Sequence, residues 1–409
     1  MPDSDLAVER IAPPPWLEDR ATRAVLAALE GEGGAARFVG GCVRDTLMGR
    51  AVGDIDIATP LVPDQVVARL KSAGIKAVPT GLAHGTVTAV LPPRQFEITT
   101  LRRDVETDGR HARVAFTVDW AEDAARRDFT MNALYLDGAG NLFDPVSGLA
   151  DLRAGRIRFV GDPATRIRED VLRLLRFYRF HAQLGREPAD PAARAACHAL
   201  AALLPTLSGE RVSAEMLKLL AAPDPVPTLT LMADDGVLAA FLPEARRLDR
   251  LAALVALAPA PDALRRLAAM LDGDGATAGA VADRLRLSGD DRLRLVAMLA
   301  PPWPIDLAGD GRAQRRALYR LGPALYRDLV LLRAAESGTG GRVPDLLALA
   351  ASCPVPDFPL RGRDVAALGV APGPAIGRLL AEVETWWEEG DFSADRAACL
   401  AELARRVRG

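Results

Sequence analysis

"FVGGCVRDTLMGRAVGDIDIAT", residues 38–59, decides the fold. An apolar run meets two adjacent glycines, Gly40 and Gly41, and passes directly into an amphipathic stretch that Gly49 stops. That is the pattern of a strand turning sharply into a short helix, with glycine supplying the backbone freedom at the turn. "DIDIATP" then alternates acidic and apolar residues up to Pro60, the pattern of a strand with one face in a core. Side chains alternate along a strand, so Asp54 and Asp56 project from one face and Ile55 and Ile57 from the other.

Two neighbouring carboxylates repel. A divalent cation is the usual remedy, and Mg²⁺ commonly takes one or two carboxylates plus substrate phosphates. Glu97 in "QFEITT" brings a third carboxylate from a neighbouring strand. D-x-D alone is short and common, but its surroundings are specific. Backbone N–H groups of the Gly40–Gly41 turn can approach a phosphate closely, and Arg44 lies one turn into the helix to pair with its oxygens. A phosphate cradle beside a metal pair implies chemistry on a nucleoside triphosphate through two metal ions.

Working outward, "PDQVVARLKSAG" reads as an amphipathic helix and "TVTAVL" and "FEITTL" as strands, so residues 37–162 form a compact α/β head with a small mixed sheet. From residue 165 onward strand signals fade into Ala/Leu/Arg-rich helix without a repeat, and Pro and Gly clusters mark joints near 221–228, 273–279 and 352–362.

The length of 409 residues exceeds a single domain. The net charge of −3 neither announces nor excludes a nucleic-acid partner, since a local basic groove can sit on an acidic whole. Cys42, Cys197, Cys353 and Cys399 lack metal-ligand spacing and read as reduced thiols, Cys42 packing beside the glycine turn. The start, "MPDSDLAVERIAPPPW", lacks the marks of a signal peptide, and no apolar run is long enough to span a bilayer. A soluble, cytoplasmic protein without a membrane partner is expected. His84, His111, His181 and His198 form no His-Asp dipeptide and read as loop or packing residues rather than metal ligands.

Two further segments carry chemistry. "ARRDFTMNAL", residues 125–134, reads either as a helix start with a solvated polar face or, beside a triphosphate site, as the holder of ribose and phosphates through Arg127, Asp128 and Asn132. "RIREDVLRLLRFYRF", residues 166–180, reads as one strong helix with Asp170 and Arg173 on a common face. The pair is either an ordinary ion pair or a reader of bases. Carboxylate only accepts hydrogen bonds and guanidinium only donates. Cytosine and adenine offer an exocyclic amine beside a ring-nitrogen acceptor, whereas uracil and guanine offer a carbonyl beside an N–H. Such a pair accepts C and A and refuses U and G.

Together, "GGCVRD" with "DIDIAT", "HGTVTAV" with "FEITTLR", "DGRHARV", "ARRDFTMNAL", "DPVSGLADL", "RIREDVLRLLRFYRF" and "GERVSAEMLKLL" resemble the class II tRNA nucleotidyltransferase and bacterial poly(A) polymerase family. "LRGRDVAALGVAPGPAIGRLLAEV", residues 360–383, resembles the family's tail. The resemblance implies an α/β nucleotidyltransferase head followed by an all-α neck, body and tail. The expected boundaries are an N-terminal extension over 1–36, the head over 37–162 and a neck with the nucleotide-reading helix over 163–222. A tRNA-binding body over 223–358 and a tail over 359–409 complete the chain.

By resemblance, Asp54 and Asp56 match magnesium ligands, Glu97 the third catalytic carboxylate, and Gly41 and Arg44 the triphosphate contacts. Arg127 matches the nucleotide-binding arginine and Asp170 and Arg173 the base readers. Arg176 and Arg179 match two further arginines of that helix, although three-residue steps drift around a helix. "DPVSGLADL" matches a segment that lets the site change from C to A addition, with Asp144, Gly148 and Asp151 at its hinges. The expected activity is addition of CCA to the 3′ end of tRNA from CTP and ATP with Mg²⁺, without an obligate protein partner. The alternatives are a poly(A) polymerase, an enzyme adding only CC or only A, and a catalytically silent RNA-binding relative.

Overall fold

The structure, a computed structural model, describes residues 6–82, 85–107, 112–186, 188–258 and 260–408. His84, His111 and the first four residues of "DGRHARV" lie outside them. The chain divides into two compact units, Met1–Pro243 and Glu244–Gly409.

The strands of the first unit are β1 (Glu9–Arg10), β2 (Arg37–Val39), β3 (Ile55–Thr59), β4 (Lys76–Gly81), β5 (Thr86–Leu91), β6 (Arg94–Thr100), β7 (Arg102–Thr107), β8 (Ala112–Phe116), β9 (Tyr135–Leu136) and β10 (Asn141–Phe143). Eight of them form one mixed sheet in the order β1-β10-β9-β2-β3-β6-β5-β4, while β7 and β8 pair antiparallel in a separate two-stranded sheet. The β3–β6 pair is parallel. Its register sets Ile55 opposite Phe96, Asp56 opposite Glu97 and Ile57 opposite Ile98.

Residues in register share a face. Phe38, Ile55, Ile57, Phe96, Ile98 and Leu136 therefore line one side, and all are buried. Val39, Ala58, Tyr135 and Phe143 line the other, where they join Leu101, Trp120 and Val160 in a core beside the acidic positions. One strand thus serves two environments because its alternation is strict.

The helices of this unit are α1 (Pro15–Glu18), α2 (Arg20–Glu30), α3 (Gly41–Leu47), α4 (Pro63–Ser72), α5 (Trp120–Ala125), α6 (Gly148–Ala154), α7 (Pro163–Glu169), α8 (Leu172–Leu184), α9 (Pro191–Leu200), α10 (Gly209–Leu220), α11 (Val226–Asp234) and α12 (Val237–Phe241). Phe129 packs on Phe159 at 4.7 Å and edge-on to Phe180 at 5.4 Å, and Phe159 stacks on Phe177 at 5.8 Å. These buried rings fasten the segment after α5 to α8.

The single helix expected over residues 166–180 is broken. Asp170 adopts an extended backbone, φ −148° and ψ 106°, and its carboxylate accepts the N–H of Leu172 at 3.1 Å. A short polar side chain that bonds the backbone two residues on competes with the helix and starts a new one. "ARRDFTMNAL" is likewise not a helix start: α5 ends at Ala125, and only a 3₁₀ turn at Thr130–Asn132 follows.

The second unit carries helices at Leu248–Leu257, Ala263–Met270, Gly275–Arg284, Gly289–Leu299, Gly311–Ser337, Val343–Ser352, Gly362–Ala366, Pro374–Glu389 and Arg396–Arg408. Among its described residues there is no strand, as the fade of strand signals predicts. The joint expected at 273–279 is mostly helix, because Asp274 accepts the N–H groups of Ala276 and Thr277 and caps Gly275–Arg284. The longest helix bends at Gly322, φ 71°, before Pro323.

Candidate active site

Gly40, φ 76°, turns β2 into α3, and a Cβ there would stand 3.6 Å from the Asp56 carboxylate. The turn and the acidic strand are thus in contact. Gly41 opens the helix. Asp56 is half-buried on β3, Glu97 is exposed opposite it on β6, and Asp54 is exposed immediately before β3 rather than within it. Burial and then the Glu97 charge push the Asp56 carboxyl up to about 6; Asp54 adds to this and Arg127 opposes it.

Among the described residues no three His, Cys, Asp or Glu side chains gather into a ready-made metal cage. The donor set at Asp54, Asp56 and Glu97 is instead open and all oxygen. That suits a hard cation which keeps positions for water and phosphate oxygens, and a cation there would relieve the Glu97 and Asp54 repulsion that adds to burial in lifting Asp56.

Arg127 comes to this edge already held. Its guanidinium donates to Asp123 at 2.9 Å and to the Tyr135 hydroxyl at 3.3 Å, and Asp123 also takes Arg126 at 2.7 Å. Burial alone would raise the Asp123 carboxyl, but Arg127, Arg126 and the Tyr135 hydroxyl outweigh it and draw it down to about 2. A second chain of contacts begins at Arg44, which is fixed by both oxygens of Asp45 at 2.9 Å and donates to Asn132 at 2.8 Å. Asn132 donates to Asp128 at 3.0 Å, and Asp128 takes Arg176 at 2.6 Å. Glu215 receives Arg179 in a short contact and lies 3.9 Å from Arg176. Arg44, Arg176 and Arg179 all lie over the Phe180 ring. The structure therefore joins Arg44, Asp128, Asn132, Arg176 and Arg179 in one network, with Arg179 buried inside it.

Asp170 and Arg173 do not pair with each other. Asp170 takes Arg211, while Arg173 donates to Glu169 at 2.6 Å, to the carbonyl of Arg166 at 3.2 Å and to that of Arg126 at 2.9 Å. These three bonds leave the Arg173 Nε–H and one terminal N–H without a protein acceptor among the described residues. α6 is tied to the same region. Asp144 accepts the N–H groups of Gly148 and Leu149, and buried Asp151 accepts the Thr130 hydroxyl at 2.7 Å and Arg158 at 2.8 Å.

Sequence reasoning missed Asp123, Tyr135, Phe180, Glu169 and Glu215. Asp123 and Glu169 precede Arg127 and Arg173 by one helical turn, a signal that was present. Tyr135 directly follows "ARRDFTMNAL" and Phe180 ends "RIREDVLRLLRFYRF", where both read as apolar core positions, while Glu215 reaches the site from α10.

Residues 36–158 match the family model described as Poly A polymerase head domain, and residues 189–248 the one described as Probable RNA and SrmB- binding site of polymerase A. CCA tRNA nucleotidyltransferase 1, mitochondrial, of Danio rerio is 32% identical over 385 residues, which span 90% of this chain and 87% of that protein. The CCA-adding enzyme of Levilactobacillus brevis is 32% identical over 390 residues, 93% of this chain and 96% of that protein. The chain belongs to the CCA-adding tRNA nucleotidyltransferase family. The CCA-adding enzyme of Bacillus stearothermophilus in complex with CTP has the same family fold, with a TM-score of 0.76 at 30% identity over 94% of this chain and 96% of that one. The Thermotoga maritima CCA-adding enzyme complexed with tRNA shares the fold at 21% identity, with a TM-score of 0.69 over 98% and 97%.

Proposed function

We propose that this member of the family adds CCA to the 3′ end of tRNA from CTP and ATP, without a nucleic-acid template. The observation that carries the reading is the open acidic edge, Asp56 in register with Glu97, lying against the Gly40–Gly41 turn.

Asp54 and Asp56, with Glu97 beside them, hold divalent cations, of which Mg²⁺ suits an oxygen-only set. When bound, such ions neutralise the triphosphate and make the RNA 3′-hydroxyl a better nucleophile. The chain's own residues do the rest. The Gly40–Gly41 turn lets backbone approach the phosphates without a Cβ between them, and Arg44 and Arg127 present guanidinium groups that Asp45, Asn132, Asp123 and Tyr135 already hold in place. The 3′-hydroxyl attacks the α-phosphorus in line, the bond to the bridging oxygen breaks and pyrophosphate leaves. Prepaid positioning and fixed positive charge supply most of the acceleration.

Asp170 accepts from the exocyclic amine of C or A, and the two uncommitted N–H groups of Arg173 donate to acceptors on the same base edge. Asp128, Asn132, Arg176 and Arg179 form a floor that runs from Arg44 at the triphosphate end to α8, the helix that also carries Arg173. The division into head, neck, body and tail at 37–162, 163–222, 223–358 and 359–409 is part of this reading, with the later helices gripping tRNA. A reducing compartment, the cytoplasm, suits the four unpaired cysteines. Among the described residues no helix is long and apolar enough to cross a membrane.

The test is extension of tRNA transcripts ending before, within and after CCA, resolved to single nucleotides, with Mg²⁺ and each nucleotide alone and combined. Addition that stops at CCA is expected. Long A-tracts from ATP on unrelated RNA would make the chain a poly(A) polymerase.

A further inference from the structure

Asp170 occupies the gap between α7 and α8, and among the described residues three hydrogen bonds reach its carboxylate. Oδ1 accepts the N–H of Leu172 at 3.1 Å and one terminal nitrogen of Arg211 at 3.0 Å. Oδ2 accepts the same Arg211 nitrogen at 2.9 Å. A carboxylate has roughly four lone-pair sites, and three are taken. Among the described residues one acceptor position remains without a partner, on Oδ2. A cytosine or adenine amine donates one hydrogen outward from its pairing edge, so one acceptor is what this recognition requires.

We propose that Arg211 is a positioning residue for base selection: by clamping both oxygens of Asp170 it fixes the carboxylate so that a single acceptor, on Oδ2, is left for the exocyclic amine of the incoming nucleotide. This rests on the reading of Asp170 as a base reader. Leu172 holds only Oδ1, so without Arg211 the carboxylate can swing about that one bond and take up water. A water molecule donates to a carboxylate and to a base carbonyl at once, so a loosened, hydrated Asp170 tolerates the carbonyl of uracil or guanine that a clamped one refuses. Arg211 gains its position from α10, which is seated independently by buried Val212, Met216, Leu219 and Leu220 and by Glu215 on Arg179. The Arg211–Asp170 pair is itself partly exposed, at 43% and 32% of the side chains, so the fold depends little on it.

The experiment measures kcat and KM for CTP and for UTP on a tRNA transcript lacking CCA, using the full chain with Mg²⁺, in wild type, R211A, R211K and D170A. Thermal melting of each variant checks folding, and R211Q takes the place of R211A if that variant does not fold. In R211A the preference for CTP over UTP is expected to fall by roughly tenfold or more, through a higher KM for CTP with kcat nearly kept. R211K, whose single ammonium can bridge both oxygens as one guanidinium nitrogen does here, restores most of it. If D170A loses selectivity and R211A keeps it, the clamp is wrong and the base reader stands. Should D170A keep full selectivity, Asp170 does not read the base and the clamp falls with it.

Discussion

Asp56 sits between opposed influences: burial and then Glu97 raise its carboxyl to about 6 while Arg127 pulls it down. Replacing Asp54 or Asp56 with alanine is expected to lower nucleotide addition by about a thousandfold while tRNA affinity stays nearly intact. Full activity in either variant, measured by the extension assay, would remove the metal assignment. Asp123 has a different task. It is 1% exposed and holds Arg126, Arg127 and the Tyr135 hydroxyl at once. Asp123→Ala leaves cationic groups buried without their partner, so a stability loss of about 3–5 kcal/mol is expected in denaturant titration, together with loss of activity through Arg127. At this scale the residues named by pattern were legible, because Asp, Gly and Arg at fixed spacing carry their chemistry in sequence. Their supports were less so: Tyr135 and Phe180 are apolar-looking positions whose importance arises from what they touch.

The β2–Gly40–α3 connection and the strand after it followed from local chemistry alone, since a left-handed turn demands glycine and strict alternation demands a two-faced strand. Gly40→Ala puts a Cβ on a backbone at φ 76° and is expected to cost about 1–2 kcal/mol, visible as a lowered melting temperature. α6 is held more tightly. A Cβ on Gly148 would fall 2.0 Å from the Thr130 carbonyl oxygen. Gly148→Ala must therefore move α6 away from Thr130, strain the Thr130–Asp151 hydrogen bond, and cost roughly 1–3 kcal/mol. If α6 positions the nucleotide segment, single-turnover ATP addition slows in this variant; an unchanged rate would separate α6 from the site. The break between α7 and α8 was not legible. Helical periodicity runs unbroken through residues 166–180, and only the side chain of Asp170, turned back on Leu172, interrupts it.

Across the molecule, arginine is paired with carboxylate again and again. Burial pushes Asp123, Asp128, Asp235 and Asp262 up, but Arg127 with Arg126, Arg176, Arg194 and Arg294 respectively outweigh it and hold all four below the ordinary carboxylate range. A carboxyl whose folded pKa is depressed contributes stability that is complete above its unfolded value and disappears as pH falls through the folded one. For Asp123 the window runs from an unfolded value of about 3.9 down to about 2, and the contribution is about 2 kcal/mol. The melting temperature is therefore expected to fall between pH 4 and pH 2, and to fall less steeply in Asp123→Asn; equal slopes would show that Asp123 is not responsible. The sequence by itself determined the α/β head, the helical remainder, the glycine turn and the acidic strand, because periodicity and glycine conformation are local properties of the chain. Only the tertiary structure decided where the two compact units divide, that Asp56 faces Glu97 in register, and that Asp170 answers to Arg211 instead of Arg173. Those depend on which distant segments meet, and strand order, helix breaks and ion-pair partners are settled by packing rather than by spacing along the chain.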